Sequence, residues 1–141
     1  MSAGIDTSWL IEVELREHSR HGAARATLKR LAEAAETLVL TPQVLSEFVH
    51  AVTDGKRFQH PLSMGEAVEA AEHWWNADSV KQVFPTIESV LLGFHWMRQY
   101  DLGRKRILDT QLAATFHVHG VKRILTSNAR DYQIFGCFEV V

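Results

Sequence analysis

The chain has 141 residues, 46% of them hydrophobic, which is enough for one domain with a buried core and leaves no room for a second. A formal charge of −2 lacks the basic excess of an obligate nucleic-acid binder, although basic residues are grouped at Lys56-Arg57, Arg104-Lys105-Arg106 and Lys122-Arg123. One cysteine, Cys137, excludes an intrachain disulfide scaffold and fits a reducing cytoplasm, and with no basic leader or bilayer-length apolar run, neither a signal peptide nor a membrane anchor is expected.

Ala3-Gly4-Ile5 reads as a short first strand. After Asp6, the spacing of Trp9, Leu10 and Val13 predicts a helix, and Ala24, Leu28, Leu31 and Ala35 predict a second. Residues 37–40 form the next strand. Thr41 as N-cap with Pro42 at the first helical position starts a helix whose inward face is Val44, Leu45, Phe48 and Val52, and Asp54-Gly55 stops it. Residues 56–61 read as a loop. Ser63-Met64-Gly65-Glu66 has the reciprocal capping form for a helix to about Trp75.

A third strand is expected over 80–84, then a helix capped by Thr86 and ending near Leu102-Gly103. The next helix spans about Leu108 to His119 and stops at Gly120, a residue suited to the left-handed position beyond a helix end. Strands at 121–126 and, on the sheet edge, 138–141 complete the chain. Strands alternating with helices argue for a mostly parallel sheet covered on both faces.

Acidic residues recur where strands hand over to helices. In open α/β sheets such positions share one edge, so acids following different strands can meet in one crevice, where a hard divalent cation would neutralise them. Asp6 has a structural alternative as an N-cap before Thr7-Ser8. Asp109 shares a helix face with Leu112, Ala113 and Phe116, an inward side where a carboxylate seldom sits unless paired or metal-bound. Glu47 borders the stripe of Val44, Phe48 and Ala51, and Asn128 and Asp131 follow a strand in what reads as a turn.

The order Asp6-Thr7-Ser8, Pro42 to Phe48, Leu108-Asp109-Thr110-Gln111 and Thr126-Ser127-Asn128-Ala129-Arg130-Asp131-Tyr132 resembles a PIN domain, more narrowly the VapC-type ribonuclease toxins, over essentially the whole chain. The resemblance implies a three-layer α/β/α sandwich forming a single PIN-like nuclease domain over residues 1–141. It also implies an acidic pocket binding Mg²⁺ or Mn²⁺, endonucleolytic RNA cleavage, a homodimer, and a cognate VapB-like antitoxin of a type II toxin–antitoxin pair in the cytoplasm. By position, Asp6, Glu47 and Asp109 match the family's principal acids; the fourth acidic position is Asn128 here, which keeps a carbonyl oxygen but removes a charge.

On that reading Asp6, Asp109 and Asn128 hold the metal and Glu47 orients or deprotonates the attacking water. Ser8, Thr126 and Asp131 support them, and Arg104, Lys105 and Arg106 form a basic rim for RNA phosphates. Trp74, Trp75 and Trp96 read as core or interface residues, with base stacking as the alternative. The scattered histidines do not form a chelating pair: His117 and His119 point different ways on one helix. Two competing functions stay open: a PIN fold weakened in catalysis by Asn128 that binds RNA or protein, and a phosphohydrolase of small phosphate esters.

Overall fold

A computed structural model describes Met1–Val141. The strands are β1 (Ser2–Ile5), β2 (Thr37–Leu40), β3 (Val80–Gln82), β4 (Arg123–Leu125) and β5 (Glu139–Val140). The helices are α1 (Thr7–Glu14), α2 (His21–Glu33), α3 (Pro42–Val52), α4 (Met64–Trp75), α5 (Ile87–Gln99), α6 (Ile107–Val118) and α7 (Ala129–Gln133), with one 3₁₀ turn at Arg104–Arg106.

Local chemistry sets several of these boundaries. Thr41 Oγ1 accepts from Val44 N, with Pro42 at the first helical position. Ser63 and Glu66 form a complete capping box on α4, and Thr86 with Ser89 forms one on α5. Gly120 sits at φ 75 just beyond α6, as its position after the last apolar residues implies.

All pairings in the sheet are parallel, in the order β3-β2-β1-β4-β5. The chain winds outward from β1 through β2 to β3, then returns to place β4 on the other side of β1. The β1/β4 boundary is therefore the topological switch point, where crevices open beyond the carboxyl ends of the strands. The register there is Gly4 opposite Ile124 and Ile5 opposite Leu125, and Asp6 N extends it by bonding Leu125 O at 3.0 Å. Helices α1 to α4 pack on one another in one group and α5 to α7 in another, giving the α/β/α layers. Ile5, Leu40, Val44, Phe48, Phe116 and Ile124 are fully enclosed between them.

Five elements differ from expectation. β3 stops at Gln82; Val83 N still bonds Leu40 O, but Phe84 leaves the sheet and is 53% exposed. β4 and β5 are likewise shorter at their ends than 121–126 and 138–141. α5 ends at Gln99, because Asp101 already adopts the left-handed conformation (φ 50) ahead of Gly103. The turn expected around Asn128 and Asp131 is instead the start of α7, a five-residue helix too short to show apolar periodicity and anchored by buried Tyr132. The tryptophans are structural: Trp74 packs edge-on against Trp9, Trp96 stacks on Phe135 with ring centres 4.4 Å apart, and Trp75 is half-buried beside Phe84.

Candidate active site

At the switch point a crevice of about 530 Å³ is lined by Asp6, Glu47, Asp109 and Asn128 together with Thr7, Ser8, Ser46, His50 and Arg57. Four separate segments deliver the first four. Asp6 ends β1, Glu47 lies midway along α3, Asp109 is in the first turn of α6, and Asn128 follows β4.

Asp6 occupies the N-cap position of α1 yet makes no side-chain cap hydrogen bond. Its carboxylate accepts instead from Ser8 Oγ (2.6 Å) and Thr126 Oγ1 (2.7 Å) on Oδ2, and from Tyr132 OH (2.8 Å) on Oδ1. Three hydroxyl donors fix a carboxylate that is only 5% exposed. Burial, and after it the charges of Asp6 and Asp109, hold the Tyr132 phenol well above its ordinary pKa, so it remains a donor.

Glu47 is held at both oxygens, by Thr7 Oγ1 on Oε2 (3.1 Å) and by Gln43 Nε2 on Oε1 (2.8 Å). Gln43 also reaches the Leu108 carbonyl at 3.2 Å, tying α3 to the first turn of α6 beside Asp109.

Asp109 contrasts with both. Burial raises its pKa from the ordinary value to about 6, the charges of Asp6, Asp131 and Glu47 add to the rise, Arg106 opposes it, and no hydrogen bond contributes. Asn128, at the N-cap position of α7, makes no side-chain cap bond either and leaves its amide to the crevice.

The supporting residues divide. Ser8 and Thr126 both touch Asp6, and Thr126 Oγ1 also accepts from Asn128 N at 3.0 Å. Asp131 lies outside the crevice lining and faces Arg106, 3.7 Å away, while Arg106 Nη2 also donates to the Asp131 carbonyl at 2.6 Å. Arg106 is thus paired within the fold, whereas Arg104 and Lys105 are exposed on the 3₁₀ turn. Thr7, Gln43, Tyr132, His50 and Arg57 were given no role in the site from sequence. Gln43, one helical turn before Glu47, was open to a spacing argument. Tyr132, which is 126 residues from Asp6, was not.

The crevice gathers oxygen donors in excess of their neutralising partners, a set suited to a hard divalent cation. The unbonded, charge-crowded carboxylate of Asp109 is where a cation would relieve most repulsion. No three His, Cys, Asp or Glu side chains are clustered closely enough to hold an ion by themselves.

An all-parallel α/β/α sandwich with a carboxylate-lined crevice at its switch point defines the class. The PIN domain family model matches residues 4–134, and the chain belongs to that family. No curated protein sequence matches it. Among solved structures, the chain is similar to VapC20 of Mycobacterium tuberculosis, a sarcin-ricin loop cleaving toxin, with 21% identity, 98% of each chain covered and a TM-score of 0.74. It is also similar to a chain of VapBC-1 from nontypeable Haemophilus influenzae (14% identity, 100% of this chain and 97% of that one, TM-score 0.67). A third neighbour is a chain of VapBC2 from Rickettsia felis, solved with a promoter DNA fragment (12% identity, 100% and 98% covered, TM-score 0.69). These likenesses establish the fold.

Proposed function

We propose that this protein is a divalent-metal-dependent endoribonuclease of the VapC kind, the toxin of a type II toxin–antitoxin pair acting in the cytoplasm. The observation that carries the reading is Asp109, a half-buried carboxylate without a hydrogen-bond donor that shares a crevice with Asp6 and Glu47. Family membership and the VapC and VapBC neighbours support the assignment to RNA and to a toxin.

In this reading Asp6, Asp109 and the Asn128 carbonyl hold Mg²⁺ or Mn²⁺. When bound, the ion polarises the scissile phosphate and lowers the pKa of the attacking water. The chain's own groups do the rest. Ser8, Thr126 and Tyr132 keep Asp6 in one orientation, so the site needs little rearrangement to bind. Glu47, fixed by Thr7 and Gln43, orients the water and receives its proton through a remaining lone pair. Arg104 and Lys105, exposed on the 3₁₀ turn that leads into α6, serve as outer phosphate contacts, with Asp131 and Arg106 bracing that turn.

Two surfaces support the partners of such a toxin. An apolar groove of about 510 Å³ between α3 and α4, lined by Pro42, Leu45, Val49, Val68 and Trp75, also includes Ser46, which lines the crevice as well. An antitoxin segment of the VapB kind laid in that groove reaches the crevice mouth. Ile87, Leu91 and Phe94 form an exposed apolar stripe on α5, suited to a second copy of the chain.

The test is incubation of the purified protein with structured and unstructured RNA in Mg²⁺, Mn²⁺ or EDTA, beside Asp109→Asn. Cleavage that requires both metal and Asp109 is expected. RNA or partner binding without cleavage would favour the weakened module that Asn128 in the fourth acidic position raises, and turnover of a simple phosphomonoester without RNA would favour the phosphohydrolase.

A further inference from the structure

Arg57 is the one cationic side chain among the crevice-lining residues that bears a permanent charge, and it stands apart from the basic triplet at 104–106. It lies on the loop between α3 and α4. Although it faces the same space as Asp6, Glu47 and Asp109, it joins none of the molecule's four ion pairs. Its guanidinium rests over the Phe58 ring, 5.1 Å from the centroid, and Phe58 itself packs on the core. An arginine held on an aromatic ring, facing an acid-lined crevice without neutralising the acids, keeps its donors for an incoming anion.

The loop is pinned. Arg57 N and Phe58 N bond the Asp54 carbonyl, Lys56 N bonds Asp54 Oδ1 at 2.8 Å, and Leu62 N returns to Val52 O. Beyond the end of α1, Glu17 accepts from Gln59 N (3.0 Å) and His60 N (2.7 Å), one bond to each carboxylate oxygen. Two charge-assisted bonds from a residue about 40 positions earlier serve no helix or strand; they fix where this loop stands.

We infer that Arg57 binds a backbone phosphate of the RNA beside the scissile one, and that Glu17 is a positioning residue that holds the Arg57 loop over the crevice. The inference rests on the nuclease reading and deepens it. An acidic crevice repels a polyanion, and the Arg57 guanidinium at its wall supplies an attraction that Arg106, paired with Asp131, does not.

The experiment uses the full chain. Binding of a labelled single-stranded RNA is titrated in Ca²⁺ across a KCl series, and steady-state cleavage is followed in Mg²⁺, for wild type, Arg57→Gln, Arg57→Lys, Glu17→Ala and the double variant. Arg25→Gln, which removes the same charge from the exposed face of α2, is the control. Arg57→Gln is expected to weaken binding about tenfold and to raise KM by the same factor at unchanged kcat. The dependence of log affinity on log salt becomes shallower by about 0.7, the loss of one single-strand phosphate contact. Arg57→Lys recovers the salt slope and part of the affinity. Glu17→Ala raises KM in the same direction, and its effect disappears in the Arg57→Gln background, as coupled residues require. Parallel salt slopes, an Arg25→Gln effect of equal size, or a fall in kcat at constant KM would each overturn the inference. RNA binding that depends on Arg57 without any cleavage would preserve it and overturn the nuclease reading, whereas a wild-type chain that binds no RNA would overturn both.

Discussion

Tyr132 and Asp6 are 126 residues apart and meet beside the β1/β4 switch point, the phenol donating to Asp6 Oδ1 at 2.8 Å. The bond ties the short helix α7 to the end of the central strand and leaves Asp6 only one face, the one turned to the crevice. Tyr132→Phe removes the donor while the carboxylate stays buried. A loss of about 1–3 kcal/mol is expected, read as a fall of roughly 3–10 °C in Tm in EDTA. The pH dependence adds a second readout. Because the folded phenol is held well above 10, the unfolded chain loses this proton first, so wild-type stability drops as pH rises past about 10. Tyr132→Phe is spared that part of the alkaline decline, and identical declines in the two proteins would refute the assignment.

Gly4 sets how closely α6 approaches the central strand. A Cβ at Gly4 would lie 2.8 Å from Phe116 Cε2 and 2.9 Å from Cδ2 and Cζ, on a ring that is fully buried and has nowhere to move. Gly4→Ala is therefore expected to cost about 1–3 kcal/mol through overpacking. Phe116 lies two turns beyond Asp109 on the same helix, so pushing it outward also widens the gap between Asp109 and Asp6 and raises the Mg²⁺ concentration needed for half-maximal cleavage. Gly22→Ala, where an added Cβ meets nothing within 4 Å, should be neutral or slightly stabilising. Thermal melts and Mg²⁺ titrations of both variants check the contrast.

These two contacts also mark what sequence could and could not convey. Helix starts at Thr41, Ser63 and Thr86 were legible because a cap is a local pattern, and all three side chains make the expected bonds. The inward placement of Asp109 was legible for a different reason: a charge among Leu112, Ala113 and Phe116 contradicts the apolar face around it, and those three are buried. Tyr132 and Gly4 carry no such mark. Their meaning lies in partners distant in sequence, and α7 is too short for any period to reveal that Tyr132 faces inward. Arg57 was hidden likewise, because a loop has no periodicity from which to infer where a side chain stands. The basic triplet was legible as a run of charge, but the pairing of Arg106 with Asp131, 25 residues on, was not.

Asp109 gives the site a pH signature in the absence of metal. Its folded pKa of about 6 lies above the unfolded value of about 3.9, so the folded chain binds the extra proton between these limits. Stability contributed by that proton is present at low pH and declines as pH rises from about 4 to about 6. Allowing for screening of a partly exposed group, the loss is roughly 1 kcal/mol, or about 2–4 °C in Tm. Asp109→Asn removes the repulsion, so in EDTA it should melt above wild type at pH 7.5 and together with it near pH 4. Mg²⁺ should reverse the order at pH 7.5, because a ligand of the folded state raises Tm only where it binds. A variant that gains as much as wild type from Mg²⁺ would remove Asp109 from the proposed ligand set.

Asn128→Asp tests the departure at the fourth acidic position. Asn128 lines the crevice with no cap bond to break, and its backbone N–H is already anchored on Thr126 Oγ1, so the exchange alters charge without altering the fold. An added carboxylate joins Asp6, Glu47 and Asp109 in a crevice that Arg57 alone lines with a permanent positive charge, so the acids outnumber it further. In EDTA the variant should be less stable than wild type at neutral pH, and the difference should narrow as pH falls and the crowded acids protonate. With metal the sign changes: a site with one more charge binds a hard cation more tightly, and the Mg²⁺ concentration for half-maximal cleavage should fall by about tenfold. Calorimetric titration of Mg²⁺ measures that shift independently of turnover. Tighter binding with faster cleavage would mean that Asn128 restrains the wild-type enzyme, whereas tighter binding with unchanged kcat would mean that its amide oxygen already suffices for the chemistry and that the missing charge sets only how much metal the site demands.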